Sequence, residues 1–395
     1  MKPETRALTL ATMAFTACFY AWALLGPLSP TLQKHLALSE FQTAAMVAVP
    51  VLLGSVLRVP LGLLSDIYGG RRTFTALMVF SLLPAFALAF VHNSLGAVIA
   101  LGFLLGVAGA SFAVGVPYVN GWYPPERRGF ALGIYGMGMG GTVLAALTAP
   151  RISDHWGLRA PFLVATGVLL VATVVWALLA RDAAPPPPRS GGLHLLAPLA
   201  IFRRSPRAWA LVLFYFLAFG GFVAMFLYLP KLLTGVHHLT KTDAGARAAG
   251  FALLAVLARP TGGWLSDRMD ARSVLRISFS ATIVLATLLA FTYKHMVPLT
   301  IECLTLAVAF GLGTGAVFKL VAAWFPSEVG AVTGVVGAAG GLGGFFPPLV
   351  MGIVKSATGS YTLGFILLAA VAAGALAVLA GLRSEAGAAS APSPT

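Results

Sequence analysis

The amino-acid sequence predicts an all-α polytopic membrane protein, with twelve transmembrane helices in two pseudo-symmetric six-helix bundles. Three observations predict it. The chain of 395 residues is 58% hydrophobic and only 10% charged, with mean hydropathy +0.90; an ordinary soluble domain carries about 25% charge. Apolar stretches long enough to cross a bilayer as helices recur along the whole length. Polar cassettes of the first half also return in the second at a constant offset.

In chain order, spans are expected near 8–30, 41–66, 73–92, 95–119, 128–150, 160–180, 207–233, 243–266, 273–293, 296–323, 330–354 and 361–382. The first follows MKPETRALTL, a basic start with no small-residue cleavage pattern, and so reads as a span rather than a removed signal. The second ends at Asp66, and Arg71 and Arg72 separate it from the third. After the sixth comes RDAAPPPPRSGG, proline-rich and polar, which reads as a linker. The chain thus divides into an N-terminal bundle (1–180), a cytoplasmic linker (181–206) and a C-terminal bundle with a short cytoplasmic tail (207–395).

An even number of spans puts both termini on one side. With that side cytoplasmic, the inner segments hold Arg71, Arg72, Arg127, Arg128, Arg189, Arg203, Arg204, Arg268, Arg272 and Arg383 among others, and the inner-to-outer cation bias is nearly two to one. The expected location is the cell inner membrane, multi-pass, among membrane lipids. The net charge of +14 sits in short loops and forms no basic stripe, which excludes a nucleic-acid partner. Cys18 and Cys303 both fall within spans and imply neither a disulfide framework nor a metal site. No cofactor is implied. With no nucleophile–base pair or metal-ligand cluster in the spans, an enzyme is the least favoured class.

The repeat is specific. LRVPLGLLSD (Leu57 to Asp66) returns as ARPTGGWLSD (Ala258 to Asp267), so that Arg58 and Arg259, Ser65 and Ser266, and Asp66 and Asp267 each stand 201 positions apart. Gly129, Gly133 and Gly136 fall on Gly330, Gly334 and Gly337 at the same offset. GASF at Gly109–Phe112 is echoed by GAVF at Gly315–Phe318. Duplicated transporter folds place their substrate site near mid-membrane, where the halves meet.

Each arginine lies eight residues before an aspartate at a span end. Eight helical residues rise about 12 Å, and half the hydrocarbon core is about 15 Å. Both guanidinium groups are therefore expected near the midplane, too deep to snorkel comfortably. A structural ion pair lacks its acid: Glu302 is the only deep candidate and sits nearer the outer end of the tenth span. Intramembrane cations are functional by default. Arginine stays charged and offers a planar fork of donors, so two forks facing one cavity suit a small planar anion.

The fifth span reads GFALGIYGMGMGGT and the eleventh GVVGAAGGLGGFFPP. Tight small-residue packing is one reading; smooth contacts for sliding helices, with backbone approach to a small substrate, is the other.

These residues carry a resemblance. GLLSDIYGGRR (Gly62 to Arg72) and its echo GGWLSDRMDAR (Gly262 to Arg272) look like the loop motif of the major facilitator superfamily, with Gly62, Asp66, Arg71, Arg72, Asp267 and Arg268 in its positions. ALGIYGMGMGGT (131–142) and GVVGAAGGLGGFFPPLVMG (334–352) resemble the glycine-rich signatures of its nitrate/nitrite porter family. ARPTGGWLSD and GTGAVFKLV (Gly313 to Val321) also look like that family, especially its bacterial uptake branch. The resemblance covers all twelve spans. It implies the major facilitator fold and a substrate site at Arg58, Arg259, Phe112, Tyr215 and Phe219, with Gly138 and Gly341 from the two signatures. The alternative for Tyr215 is a lipid-interface anchor. The family usually has asparagine where this chain has Met139, which removes a polar contact.

Lys319, in the tenth span, reads either as a stem reaching the cytoplasmic interface or as a third cation near the anion path. A desolvated lysine can lose its proton, so it could couple protons to substrate. The chain has no GxxxxGK[ST] loop, and ATP is not expected to drive it. The implied function is secondary active transport of nitrate by alternating access, as a monomer, with nitrate/proton symport first. Nitrate/nitrite exchange comes second, and a carboxylate exchanger of the oxalate–formate kind is the further alternative. A transport-inactive membrane sensor is the reading from another class.

Overall fold

The computed structural model describes residues 2–184 and 197–382. The centre of the expected linker, with Arg189, and the tail from Arg383 lie outside the described residues. Among those described, the chain forms twelve helical columns and no strand. They are α1 (Pro3–Trp22), α2 (Glu40–Val56 continued by Arg58–Tyr68), α3 (Gly70–Leu88), α4 (Leu95–Trp122), α5 (Pro125–Trp156), α6 (Arg159–Leu179), α7 (Pro206–His237), α8 (Lys241–Arg268), α9 (Ala271–Thr292), α10 (Met296–Trp324), α11 (Val329–Thr358) and α12 (Thr362–Gly381). All but α1 and α11 meet the length and hydropathy of a membrane span along one continuous described stretch.

The expected spans are present, with shifted bounds. The first ends at Trp22 and not near 30, because Gly26 and Pro27 interrupt it before a short helix, Ser29–His35, which Pro30 helps to start. The second begins at a capping box, where Ser39 Oγ accepts from Gln42 N at 3.2 Å and Gln42 Oε1 accepts from Ser39 N at 2.9 Å. The fifth runs on to Trp156. Hydropathy marks the lipid-immersed part of a helix, while backbone hydrogen bonding carries it into the interface.

Four columns are irregular in their middle. α2 breaks at Leu57, where Pro60 has no N–H for the Val56 carbonyl and its ring crowds that carbonyl. α4 has a 3-10 turn at Gly106–Ala110, α5 one at Met137–Gly140, and α7 a π turn at Phe216–Gly220. Such turns redirect side chains and release carbonyls from the helical ladder.

The halves meet through two mirrored helix pairs, α2 against α11 and α5 against α8. Glycine is required at both crossings. A Cβ on Gly62 would strike the Gly330 carbonyl oxygen, and one on Gly330 would strike that of Gly62. Gly129 and Gly263 have the same reciprocal contact. These crossings lie toward the face that carries both termini, called the terminal face below.

Candidate functional site: two arginines in an aromatic slot

Arg58 and Arg259 are each only 4% exposed. They enter the site from α2 and α8, at equivalent places in the two halves. The Arg58 Nε–H donates to the Gly109 carbonyl at 3.2 Å, and its Nη1 donates to the Gly337 carbonyl on α11. Arg259 Nη1 donates to the Gly136 carbonyl on α5 at 3.1 Å. Gly136 and Gly337 are themselves 201 positions apart, so the pairing obeys the sequence repeat. Arg259 Nη2 is buried without a hydrogen-bond partner.

The arginines are thus anchored by backbone carbonyls, where the sequence left them unpaired. Among the described residues no carboxylate meets them: Glu302 accepts from the Thr292 hydroxyl at 2.7 Å, nearer the opposite end of α10. A carbonyl brings a dipole and no net charge, so two formal positive charges remain in the slot.

Rings form its walls. The Phe219 centroid lies 5.8 Å from Arg58 Cζ and 5.4 Å from Arg259 Cζ, so one ring serves both cations. Tyr215 stacks on Phe219 with centroids 5.1 Å apart and an interplanar angle of 1°. Phe112 lies parallel to Tyr215 at 6.3 Å. Phe318 meets both Phe112 and Tyr215 edge-on at 4.7 Å. The π turn of α7 spans Phe216–Gly220 and so contains Phe219. Phe15, Phe19, Arg58, Phe112, Met139, Tyr215, Phe219 and Arg259 bound a slot that is closed, with no room for a water molecule in this conformation. Its lining offers two permanent cations, a phenol and otherwise apolar walls, a chemistry that suits a small anion stripped of most of its water once the helices part to admit it.

Of the expected substrate residues, the structure brings Arg58, Arg259, Phe112, Tyr215 and Phe219 together. Tyr215 is 1% exposed, so it is no lipid-interface anchor. Gly341 lies against Arg58, where a Cβ would come 3.4 Å from Nη1. Gly138 packs on the Phe15 ring and supports the slot from behind. Met139 lines the slot. Lys319 is not at the slot. Its ammonium lies 2.5 Å from Asp267 Oδ1 and also donates to the Pro125 carbonyl.

The loop-motif residues close the terminal face. Asp66 accepts from Gly330 N at 3.0 Å and Ala331 N at 2.9 Å, at the start of α11. Asp267 accepts from Gly129 N at 2.9 Å and Phe130 N at 2.7 Å, near the start of α5. Each carboxylate from one half meets the positive end of a helix from the other. Arg71 N donates to Asp182 at 2.9 Å and its guanidinium to the Ala177 carbonyl at 2.8 Å, pinning the loop to the end of α6. Arg72 and Arg268 are exposed, and Arg268 stacks on Trp264 at 4.3 Å.

Sequence reasoning missed Phe15, Phe19 and Phe318. The echo of GASF by GAVF carried a signal for Phe318, the counterpart of Phe112. Phe15 and Phe19 are two of many apolar residues in the first span and carried none.

The comparisons with known proteins agree with this architecture. The family model described as Major Facilitator Superfamily matches residues 10–247 and 229–394. The chain is 43% identical over 376 residues to a "Probable nitrate/nitrite transporter NarK2" of Mycobacterium tuberculosis, covering 94% of this chain and 95% of that one. It is 37% identical to a "Nitrite extrusion protein" of Bacillus subtilis over 92% of this chain and 91% of that one. Among solved structures, the human organic anion transporter MFSD10 superposes with TM-score 0.81 at 17% identity, over 96% of this chain and all of that one. The transporter FucP superposes with TM-score 0.76, also at 17% identity and with the same coverage. This chain belongs to the major facilitator superfamily and, within it, to the nitrate/nitrite porter family.

Proposed function

We propose that the protein carries nitrate across the cell membrane by alternating access, holding the anion between Arg58 and Arg259. The single observation that supports this reading most is the pair of buried guanidinium groups sharing one aromatic slot without a carboxylate. The names of the relatives supply the anion. A trigonal oxyanion presents edges to arginine forks and flat faces to phenyl rings.

Nitrite leaving as nitrate enters is the coupling that the site's own groups sustain. The sequence put proton symport first, with Lys319 as the titrating group. That ammonium is engaged by Asp267 away from the slot, and among the described residues no Asp, Glu or His lines the slot. Closing the slot empty would bury two charges that only dipoles compensate, which favours loaded transitions. Exchange also avoids the cost of importing a lone anion, about 2.3 kcal/mol per 100 mV. The terminal face is the cytoplasmic one, in keeping with the loop cations.

The test is uptake of labelled nitrate into proteoliposomes. Nitrite loaded inside is expected to drive uptake, while an imposed proton gradient alone leaves it unchanged. Stimulation by the gradient with no internal anion would restore symport. Movement of oxalate or formate without nitrate would overturn the substrate.

A further inference from the structure

The clasp at Asp267 includes a side chain that its mirror position lacks. Phe318 and Lys319 follow GAV in α10, whereas the matching residues of α4 are Phe112 and Ala113. Lys319 Nζ reaches two partners on different halves: Asp267 Oδ1 on α8, at 2.5 Å, and the Pro125 carbonyl at the start of α5. Asp267 in turn accepts from Gly129 and Phe130 of α5. The lysine and aspartate side chains are 16% and 8% exposed, so the cluster is largely out of water.

We propose that Lys319 is the latch of the gate on the terminal face, a positioning residue that ties the state of this gate to the state of the slot. The inference goes beyond the transport reading and does not depend on which anion moves.

Its direction follows from what opening would separate. Lys319 and Asp267 lie on the same half and can travel together. The Lys319–Pro125 bond and both bonds from α5 to Asp267 cross the seam and must break. Removing the lysine deletes one cross-seam bond outright. It also leaves the Asp267 charge with only the helix-end N–H groups of α5 to compensate it in the closed arrangement, whereas water would hydrate it in the open one. Both effects disfavour the closed gate.

The link to the slot is covalent. Phe318, the neighbour of Lys319, closes the slot edge-on against Phe112 and Tyr215. Consecutive helical side chains project about 100° apart. One residue of α10 therefore walls the site while the next holds the gate, and a shift of that wall moves the latch.

The test reads gate opening directly. Cys18 and Cys303, both buried, are replaced by serine. Ala331, fully buried beside Asp66 on the other clasp, becomes the reporter as Ala331→Cys. Alkylation by a hydrophilic maleimide is timed on the full chain in nanodiscs. Lys319→Met is expected to speed labelling about tenfold or more, the equivalent of one charge-assisted hydrogen bond. Lys319→Arg is expected to restore the slow rate, which a merely packed stem would not require. Asp267→Asn, of unchanged size, should accelerate labelling in the same direction and serves if Lys319→Met fails to fold. Labelling of folded Lys319→Met at the parent rate, no rescue by Lys319→Arg, or unchanged labelling in Asp267→Asn overturns the proposal.

Discussion

Replacing each arginine of the slot by lysine should have unequal effects, although both substitutions keep the charge. Arginine has five N–H groups and lysine three. Arg58 commits two of its five, to Gly109 and Gly337, leaving three for an anion. A lysine that kept both anchors would retain one, so a two-point contact becomes a single point. One lost charge-assisted bond is worth about 1.5–3 kcal/mol, or roughly 10- to 150-fold in Kd. Arg259 commits one N–H to a carbonyl, that of Gly136. A lysine there keeps two N–H groups and can still make two contacts, for a weakening of no more than about fivefold. The assay is calorimetric titration of the purified protein with nitrate at low salt. If Arg259→Lys costs more than Arg58→Lys, or if both bind within about threefold of the parent, the donor arithmetic is refuted.

Three further outcomes are expected. Tyr215→Phe keeps the stack on Phe219 but deletes the hydroxyl, and should weaken nitrate binding by about fivefold, or ~1 kcal/mol; Tyr215→Ala opens the wall and should weaken it well beyond that in the same titration. Gly330→Ala drives a Cβ into the Gly62 carbonyl and Asp66, so transport in proteoliposomes should fall steeply while membrane insertion, followed by gel filtration, is preserved. Asp66→Asn gives up the carboxylate charge facing Gly330 and Ala331 N–H, about 1.5–3 kcal/mol, and should speed alkylation of a cysteine buried at the terminal face by tenfold or more.

The meeting of the two arginines was legible because two regularities agree: an eight-residue offset from a helix-ending aspartate, and a repeat that places both cations at equivalent points of the two halves. The aromatic walls were legible through the resemblance, since phenylalanine in an apolar span carries no signal of its own. The carbonyl anchors were not legible. Those of Gly109 and Gly136 depend on where α4 and α5 tighten into 3-10 turns, which Gly106–Ala110 and Met137–Gly140 permit without announcing, and that of Gly337 on how closely α11 packs on α2. Lys319 shows the limit of adjacency. It follows a slot residue in sequence, yet the helical rotation between neighbours turns it to another face. There its long stem reaches Asp267, a residue 52 positions earlier.

The two clasps and the two arginines act on the same helices, and this bears on how the halves can rock. α2 holds α11 at two heights: Arg58 on the Gly337 carbonyl in mid-helix, and Asp66 on the N–H groups of Gly330 and Ala331 at the terminal face. α8 holds α5 likewise, through Gly136 above and through Gly129 and Phe130 below. Opening the terminal face must part the lower contacts, while the upper ones lie near the pivot and move least. The same guanidinium groups keep further N–H donors for an anion, so the upper contacts can persist when the slot is loaded. Under the proposed mechanism, binding therefore leaves the upper grip in place while supplying the full negative charge that dipoles lack. The halves can then slide on their glycine seams with a neutralised centre. An empty slot keeps two charges that only carbonyl dipoles compensate and resists that motion, which is the physical basis on which exchange is favoured over one-way leakage.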